Sequence, residues 1–267
     1  MNPVLQRILD SKIVRAESGE VVPLRGFISP EEGRFLQTLI ADVKPKVSLE
    51  VGLAFGVSAL FICEALQRVG AERHIVIDPH QYGVTDGNST DKGWQGIGIR
   101  NLEEAGYKSL IDFRNAPSHF ALPDLLREGA QLDFAFIDGW HTFDYVMLDF
   151  FYVDLMLRVG GVIVFDDVNY YHYPSVRKLC RYVVTNRAYT VVGGDPISLN
   201  AKGKVAHAAA TTYSSLKRGR LPELAEPYAG LGMPGLNGNY LALRKDKHDV
   251  LGDGTRGTRR WDFHRDF

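Results

Sequence analysis

Hydrophobic and polar positions follow two regular patterns along the chain. From about Pro30 to Gly193, short apolar runs of strand length are separated by longer stretches with apolar residues at helical spacing. Continuous apolar runs are typical of strands buried on both faces, with helices covering those faces. The pattern therefore predicts an α/β domain with a mostly parallel sheet. The predicted strands are Val47–Val51, His74–Asp78, Ile111–Arg114, Leu132–Asp138, Gly161–Asp166 and Tyr189–Val192, followed by a short strand at Asn239–Arg244.

Local signals divide the chain further. Ser29-Pro30-Glu31-Glu32 combines a helix cap, a first-turn proline and two acids that the helix dipole favours, so a helix is predicted from Pro30 to about Val43. From residue 195 the periodicity weakens, which indicates a lid over the substrate or an oligomer contact. We expect an N-terminal segment or cap at 1–27, a core at 28–194, an insert or lid at 195–237, and a last strand with a C-terminal tail at 238–267. We also expect a homo-oligomer.

The composition restricts the class of partner. The 267 residues include 31 Lys and Arg against 32 Asp and Glu, so no global positive field draws the protein to nucleic acid or to anionic lipid. No stretch approaches the ~20 apolar residues of a membrane span, and the first residues lack an apolar core of signal-peptide length. We therefore expect a cytoplasmic protein that acts on a small molecule, with neither nucleic acid nor membrane as a partner. Cys63 and Cys180 lie in apolar helical patterns, which predicts buried thiols.

The most informative segment is a predicted strand that runs into a glycine turn and then a helix. It reads Glu50-Val-Gly52-Leu-Ala54-Phe-Gly56-Val-Ser58. The spacing Glu-x-Gly-x-x-x-Gly differs from the Gly-x-Gly-x-x-Gly that cradles a dinucleotide pyrophosphate. Burying the Glu50 carboxylate costs free energy unless a cation or several donors require it. S-adenosylmethionine is a ligand of this kind, because it carries both a sulfonium and an ammonium group. The alternative is a glycine turn whose glutamate only braces the neighbouring loops.

Polar residues also follow the next two predicted strands. Asp78 ends the strand after the glycine turn, where doubly wound nucleotide sites place the carboxylate that accepts hydrogen bonds from ribose hydroxyls. The segment Asn115–His119 follows the third strand, from which backbone and small polar side chains can hold the edge of an adenine ring. Together with the glycine turn, these positions predict a site for an adenosyl ligand.

Three carboxylates are predicted at the ends of two neighbouring strands. Asp138 follows one strand, and Asp166 and Asp167 follow the next. Adjacent parallel strands lie about 4.8 Å apart, so these side chains can converge. Such an oxygen-rich cluster repels itself unless an ion bridges it, and it suits Mg²⁺, Mn²⁺ or Ca²⁺. We predict a divalent metal at Asp138, Asp166 and Asp167, with Asn169 as an extra ligand; the alternative is that the acids cap a helix or order a loop.

Residues from about Ile28 to Val168 resemble the class I S-adenosylmethionine-dependent methyltransferases. Within that class they are similar to small-molecule O-methyltransferases of the catechol and caffeoyl-CoA type and to metal-dependent sugar O-methyltransferases. The segment 50–58 looks like their first motif, Asp78 matches their ribose-binding acid, and Ser118 with His119 resembles their adenine-binding turn. The resemblance implies a Rossmann-like fold with a mostly parallel seven-stranded sheet and helices on both faces.

The same resemblance implies roles for individual residues. Gly52, Ala54 and Ser58 would contact the methionine part of the cofactor, beneath the backbone of residues 28–29. Asp138 would act at the reacting centre, as a metal ligand and at the cofactor. The family's acid pair lies at Asp166-Asp167, where catechol-type members usually carry Asp-Asn and the sugar-modifying group is closer to Asp-Asp.

His141 is the candidate proton acceptor. It lies three residues beyond Asp138, where catechol-type relatives place a lysine that takes the substrate proton, and a histidine that titrates near neutral pH can do the same work. The alternative is a structural or pocket-lining histidine. Tyr170, Tyr171, His172 and Tyr173 follow the predicted metal ligands, either packing beneath the lid or contacting the substrate.

The predicted reaction is an in-line transfer of the sulfonium methyl group to a hydroxyl of a small molecule such as a sugar, a natural product or a phenolic diol, assisted by a divalent metal. Three alternatives remain open: a metal-independent N- or O-methyltransferase, a nicotinamide-dependent oxidoreductase, and a non-catalytic protein that binds S-adenosylmethionine. The glycine spacing disfavours the oxidoreductase.

Overall fold

A computed structural model of the protein describes residues 1–83, 92–170, 173–194 and 239–248. Two compact units make up the chain: Met1–Trp140 with Asp144–Leu157, and His141–Phe143 with Arg158–Phe267. This division falls inside the predicted core at 28–194, whose boundaries stay a prediction. The predicted insert at 195–237, most of the predicted tail, Tyr171 and His172 lie outside the described residues.

Helices occupy the gaps between strands, as the sequence pattern predicts. Their bounds within the described residues are α1 Pro3–Ser11, α2 Pro30–Val43, α3 Val57–Val69, α4 Ile97–Glu104, α5 Ser118–Arg127, α6 Phe143–Met156 and α7 Pro174–Asn186. The predicted cap of α2 is present, because Ser29 accepts a hydrogen bond from the Glu32 amide while the Glu32 carboxylate accepts one from the Ser29 amide. None of the described helices is both long enough and apolar enough to cross a membrane.

The strands also follow the predicted order. They are β1 Ile13–Arg15, β2 Val21–Pro23, β3 Val47–Val51, β4 Arg73–Ile77, β5 Ile111–Arg114, β6 Leu132–Ile137, β7 Leu157–Phe165, β8 Tyr189–Gly194 and β9 Leu241–Lys245. The first two form a separate antiparallel pair, and the other seven form the main sheet. The prediction of a seven-stranded, mostly parallel sheet is confirmed.

The first unit contains the parallel part of the sheet, in the order β5-β4-β3-β6. From β3 the chain moves to β4 and β5 on one side, and it then returns to β6 on the other side. The strand order therefore reverses between β3 and β6, which is where open α/β sheets place their ligands. In the second unit, β7 and β8 each pair antiparallel with β9.

The N-terminal residues are tied to the first unit. The Asn2 amide donates hydrogen bonds to the Ala105 carbonyl and the Tyr107 hydroxyl, both at 3.1 Å, and Arg7 forms an ion pair with Glu104 at the end of α4. The two cysteines, Cys63 and Cys180, are buried free thiols, as predicted.

Candidate active site

The glycine turn after β3 brings two strand ends into close contact. Gly52 has a φ of +92°, and a Cβ at this position would lie 2.0 Å from the carbonyl oxygen of Asp138, the residue that follows β6. Only glycine permits both this backbone conformation and this approach. Gly56 directly precedes α3 and has a φ of +80°. A Cβ at this position would lie 3.0 Å from the carbonyl oxygen of Gly98 on α4. The turn therefore lies at the point where the strand order reverses.

Asp78, directly after β4, is held by donors from the glycine turn. Its Oδ2 accepts hydrogen bonds from the amides of Leu53 at 3.1 Å and Ala54 at 2.9 Å, and from the Gln81 side chain at 3.0 Å. Its Oδ1 accepts one from the His80 amide at 2.7 Å. A carboxylate offers about two acceptor positions on each oxygen. Oδ2 is therefore fully used, whereas Oδ1 retains the capacity to accept from a ligand.

These two features border a cavity of about 660 Å³ in the first unit. A cavity of this size is typical of small-molecule and cofactor sites. It is lined by parts of five segments, namely Gly26–Ile28, Val51–Ala54 with Val57 and Ser58, Ile77–His80 with Gly83 and Trp94, Asn115 with Pro117 and Ser118, and Asp138–Trp140 with Tyr145. The predicted cofactor residues that line it are Gly52, Ala54, Ser58, Asp78, Ser118 and Asp138.

Glu50 does not line the cavity but lies directly behind its wall. Its carboxylate accepts a short hydrogen bond from the Ser58 hydroxyl and lies 3.2 Å from His74 Nε2, and His74 Nδ1 lies 2.9 Å from the Ser48 hydroxyl. Glu50, His74 and Ser48 are all fully buried. The chain of contacts gives the buried carboxylate partners, which offsets the cost of burying it. Glu50 is therefore connected to the cavity through Ser58.

The predicted adenine turn lines the cavity only in part. Ser118, the first residue of α5, lines the cavity, whereas His119 does not. The His119 ring packs instead against the rings of Phe120 and Tyr145, with centroids 4.3 and 5.6 Å away. Gly56 also lies outside the lining, where it supports the turn.

A buried acid, Asp149 on α6, lies behind the same wall. Its Oδ2 is 3.3 Å from the position that a Cβ on Gly139 would take, and its side chain is 1% exposed. Neither carboxylate oxygen has a hydrogen bond of normal geometry to the described residues. Burial raises the pKa of Asp149 to about 7, although the nearby Ser118 hydroxyl favours the ionised form.

In the second unit, His141 is fixed by two neighbours. Its Nε2 lies 3.2 Å from Asp167 Oδ2, and its ring stacks on the Tyr173 ring at 4.1 Å with an interplanar angle of 9°. Tyr170 packs against Tyr173 in turn, at 5.2 Å between ring centroids. A carboxylate at this distance orients an imidazole and stabilises its protonated form.

The other predicted metal-site residues of the second unit make internal contacts. Asp166 Oδ1 accepts hydrogen bonds from the Asp167 amide at 2.6 Å and from the Asn239 side chain at 2.8 Å. Asn169 Oδ1 accepts a hydrogen bond from the Arg177 guanidinium. Asp167 has a φ of +57°, which is uncommon for a residue other than glycine and is typical of functional turns.

Several residues of the candidate site are not predicted from the sequence. Gln81 contacts Asp78, Asp149 lies behind Gly139, and Trp94 and Trp140 line the cavity. Asp149 and Asp154 are buried on the largely apolar helix α6, whereas Asp144 on the same helix is exposed, so the sequence alone does not single out Asp149. Gln81 lies in a loop without a recognisable motif, so only the tertiary contact reveals it.

Comparison with known proteins identifies the domain. A family model described as a methyltransferase domain matches residues 49–168. A caffeoyl-CoA O-methyltransferase of Stellaria longipes is 30% identical over 175 residues, which cover 61% of this chain and 66% of that protein. A catechol O-methyltransferase of Niastella koreensis is 30% identical over 113 residues, covering 42% and 45%. The chain thus spans between about half and just under two thirds of the length of these relatives.

Solved structures agree on the fold. An O-methyltransferase from Bacillus cereus in complex with SAH has a TM-score of 0.55 at 18% identity, covering 72% of this chain and 83% of that one. The O-methyltransferase TomG from Streptomyces achromogenes, in complex with SAM, has a TM-score of 0.56 at 20% identity, covering 72% and 82%. The family model and the relatives identify residues 49–168 as a methyltransferase domain, and the solved structures share its fold.

Proposed function

We propose that the protein transfers a methyl group from S-adenosylmethionine to a hydroxyl oxygen of a small molecule. The observation that carries this proposal is the cavity at the reversal of the strand order, where the Gly52 backbone and a free acceptor position on Asp78 line one space. The resemblance of the domain to O-methyltransferases supports the class of acceptor.

The chain's own residues fit an adenosyl ligand. Asp78 Oδ1 would accept from a ribose hydroxyl, and Ser118 with Asn115 would hold the adenine. Gly52, Ala54 and Ser58 would surround the methionine part, with the Glu50 carboxylate behind Ser58 favouring a positively charged ligand. Ile28, in the segment that precedes α2, also lines the cavity, and we propose that its backbone closes over the methionine part.

S-adenosylmethionine, when bound, supplies a methyl group that the sulfonium has already activated. The protein then has to align the acceptor oxygen with that methyl group and remove the hydroxyl proton. We propose that His141 takes this proton on an imidazole nitrogen and that Asp167 stabilises the resulting imidazolium. The stacked ring of Tyr173 restricts the imidazole to one orientation.

A divalent cation remains part of the proposal. Asp138, Asp166 and Asp167 carry the oxygen ligands that Mg²⁺, Mn²⁺ or Ca²⁺ prefers, and such an ion would lower the pKa of a substrate hydroxyl. The contact between His141 and Asp167 favours a second candidate, a metal-independent O- or N-methyltransferase, because the pair supplies a base without an ion. The two candidates differ in their response to chelation.

For the methyl acceptor, we propose a chemical class and not a single compound. The named relatives act on caffeoyl-CoA and catechol, and an Asp-Asp pair at 166–167 favours a sugar or another vicinal diol. We therefore propose a small-molecule hydroxyl from a sugar, natural product or phenolic diol. We also propose a homo-oligomer, with the 195–237 segment either a lid over the substrate or an oligomer contact.

Cofactor binding can be tested by calorimetry. The protein is expected to bind S-adenosylmethionine and S-adenosylhomocysteine, and Asp78→Ala should weaken both by roughly tenfold or more, because it removes a charge-assisted hydrogen bond worth about 1.5 to 3 kcal/mol. Asp124→Ala, an exposed carboxylate on α5, is the matched control. Absence of binding in the unmodified protein would refute the proposed function, and unchanged binding in a folded Asp78→Ala protein would remove Asp78 from the site.

The metal can be tested by removing it. EDTA treatment should abolish methyl transfer to a diol acceptor, and added Mg²⁺ or Mn²⁺ should restore it, while binding of S-adenosylmethionine persists. The thermal midpoint should rise with added metal, because an ion that binds only the folded state stabilises it. Full activity in metal-stripped protein would favour the metal-independent candidate.

A further inference from the structure

Gln81 is fully buried beneath the cofactor cavity but does not line it. Its Nε2 donates hydrogen bonds to Asp78 Oδ2 at 3.0 Å and to the Ala54 carbonyl at 2.8 Å. One amide group therefore connects the acid after β4 to the glycine turn after β3. The main chain of the same residue is also fixed, because its carbonyl accepts a hydrogen bond from the Gly96 amide at 2.5 Å.

The chemistry of the two acceptors sets the orientation of this amide. A carboxylate and a carbonyl can only accept hydrogen bonds, so the NH₂ group of Gln81 must face them and its Oε1 must point away. Oε1 then lies beside Gly98, where a Cβ would come within 3.0 Å of it, and it has no hydrogen-bond partner among the described residues. Leaving a buried acceptor without a partner costs free energy. That cost is consistent with a side chain retained for its two donated hydrogen bonds.

The donated hydrogen bond determines which oxygen of Asp78 is available. Gln81 is the third donor on Oδ2, after the Leu53 and Ala54 amides, whereas Oδ1 receives the His80 amide. Without Gln81 the carboxylate loses the side-chain donor that anchors Oδ2. Main-chain amides alone then hold the carboxylate, which is freer to turn about its terminal torsion, because this torsion is broad for aspartate.

We infer that Gln81 is a positioning residue that directs Asp78 Oδ1 towards the cofactor ribose. The inference rests on the proposed function, because it assumes an adenosyl ligand in the cavity. Gln81 acts through Asp78 and the Ala54 carbonyl, and it does not touch the ligand itself. Its removal should therefore weaken the recognition of the ribose hydroxyls while leaving the acceptor site unchanged.

The test compares S-adenosylhomocysteine with its 3′-deoxy and 2′-deoxy analogues by calorimetry. Gln81→Met keeps the volume and removes the donors. The dissociation constant for S-adenosylhomocysteine should then rise about tenfold, as expected when the ribose loses its hydrogen bond to the charged Asp78. The affinity ratio between S-adenosylhomocysteine and the more sensitive deoxy analogue should fall towards one. The KM for the acceptor should stay within a factor of about two.

Gln37→Met is the matched control. Gln37 donates, in the same way, to a carbonyl and a carboxylate, those of Phe61 and Glu64, both at 3.1 Å, but it lies on α2 outside the cavity lining. This variant should leave both the affinity and the ribose-to-deoxyribose ratio unchanged. Gln81→Leu, which removes the donors with a smaller apolar side chain and adds no charge, gives a second measurement of that ratio in case Gln81→Met does not fold.

An unchanged ratio in folded Gln81→Met or Gln81→Leu protein would overturn the inference, even if the overall affinity falls, because that result assigns Gln81 a structural role only. An equal fall of the ratio in Gln37→Met would overturn it as well. If the unmodified protein binds neither S-adenosylmethionine nor S-adenosylhomocysteine, the proposed function itself fails, which is a different outcome.

Discussion

The two units of the chain hold their functional side chains in different ways. In the first unit, Asp78 is fixed mainly by main-chain amides, those of Leu53, Ala54 and His80. In the second unit, the contacts of His141 include two side chains, those of Asp167 and Tyr173. Main-chain donors are placed by the fold, whereas side-chain pairs also depend on rotamers. Changes around Asp78 should therefore act on ligand binding, and changes at His141 should act on the chemical step.

The largest expected effect is at His141. His141→Gln should lower kcat about 10²- to 10⁴-fold, the usual contribution of a general base, while the dissociation constant for S-adenosylmethionine stays unchanged. Single-turnover methyl transfer and calorimetry on the same preparations would separate the two quantities. His248→Gln, at an exposed histidine, is the control. If kcat falls less than about threefold, His141 is not the proton acceptor, and the contrast between the two units disappears.

Next in size is the effect of a single methyl group on the glycine turn. Gly52→Ala places a Cβ 2.0 Å from the Asp138 carbonyl oxygen and at a φ of +92°, so the turn must shift. The shifted turn also carries the Leu53 and Ala54 amides that hold Asp78, so we expect the affinity for S-adenosylmethionine to fall by roughly tenfold or more, as for one lost charge-assisted hydrogen bond. Calorimetry measures it.

Gly106→Ala separates the clash from the backbone strain. Gly106 has a similar φ of +86°, but a Cβ there would meet nothing within 4 Å. This variant should lose about 1 to 2 kcal/mol of stability through the strained backbone and retain its affinity. Equal losses of affinity in the two variants would show that strain, and not the approach to Asp138, makes glycine necessary at position 52.

The sequence predicts the features that have a local signal. The period of apolar residues predicts the parallel strands, and the Glu50–Ser58 motif predicts the turn, because both features depend on residues that are neighbours in the sequence. One boundary differs from the prediction, because β7 begins at Leu157 and not at Gly161. A glycine pair at 160–161 is typical of a turn in a sequence, but the strand continues through Gly160 with a φ of +82°. The short strands β1 and β2 were not predicted.

Contacts between distant residues have no local signal. Gln81 acquires its role only when Ala54 lies beside it, and Tyr173 only when it stacks on His141. The predicted metal set of Asp138, Asp166 and Asp167 relied on the order of strand ends, whereas the hydrogen bond to Asp166 comes from Asn239, which precedes β9 and lies far along the chain. Long-range pairing of this kind can be recognised only in the folded protein.

At Asp149 we expect the smallest effect on ligand binding, together with a pH-dependent effect on the stability of the fold. Burial raises the pKa of this carboxyl from its ordinary value of 3.8 to about 7 in the folded protein. The folded state therefore binds the proton more tightly than the unfolded state does. This contribution to stability is fully present below about pH 4 and is lost as the pH rises through about 7.

Asp149→Asn removes the titration and keeps a side chain of the same size. The free energy of unfolding of the unmodified protein should fall, relative to this variant, by at most about 4 kcal/mol between pH 4 and pH 8, since each unit of pKa difference corresponds to about 1.4 kcal/mol. Urea denaturation at a series of pH values measures this difference, with Asp124→Asn on the exposed face of α5 as the control. Affinity for S-adenosylmethionine should change less than about threefold, because Asp149 lies behind Gly139 and outside the cavity lining. A pH-independent difference between the two proteins would mean that Asp149 stays ionised in the folded state, and a partner for its charge would then have to be sought around Ser118.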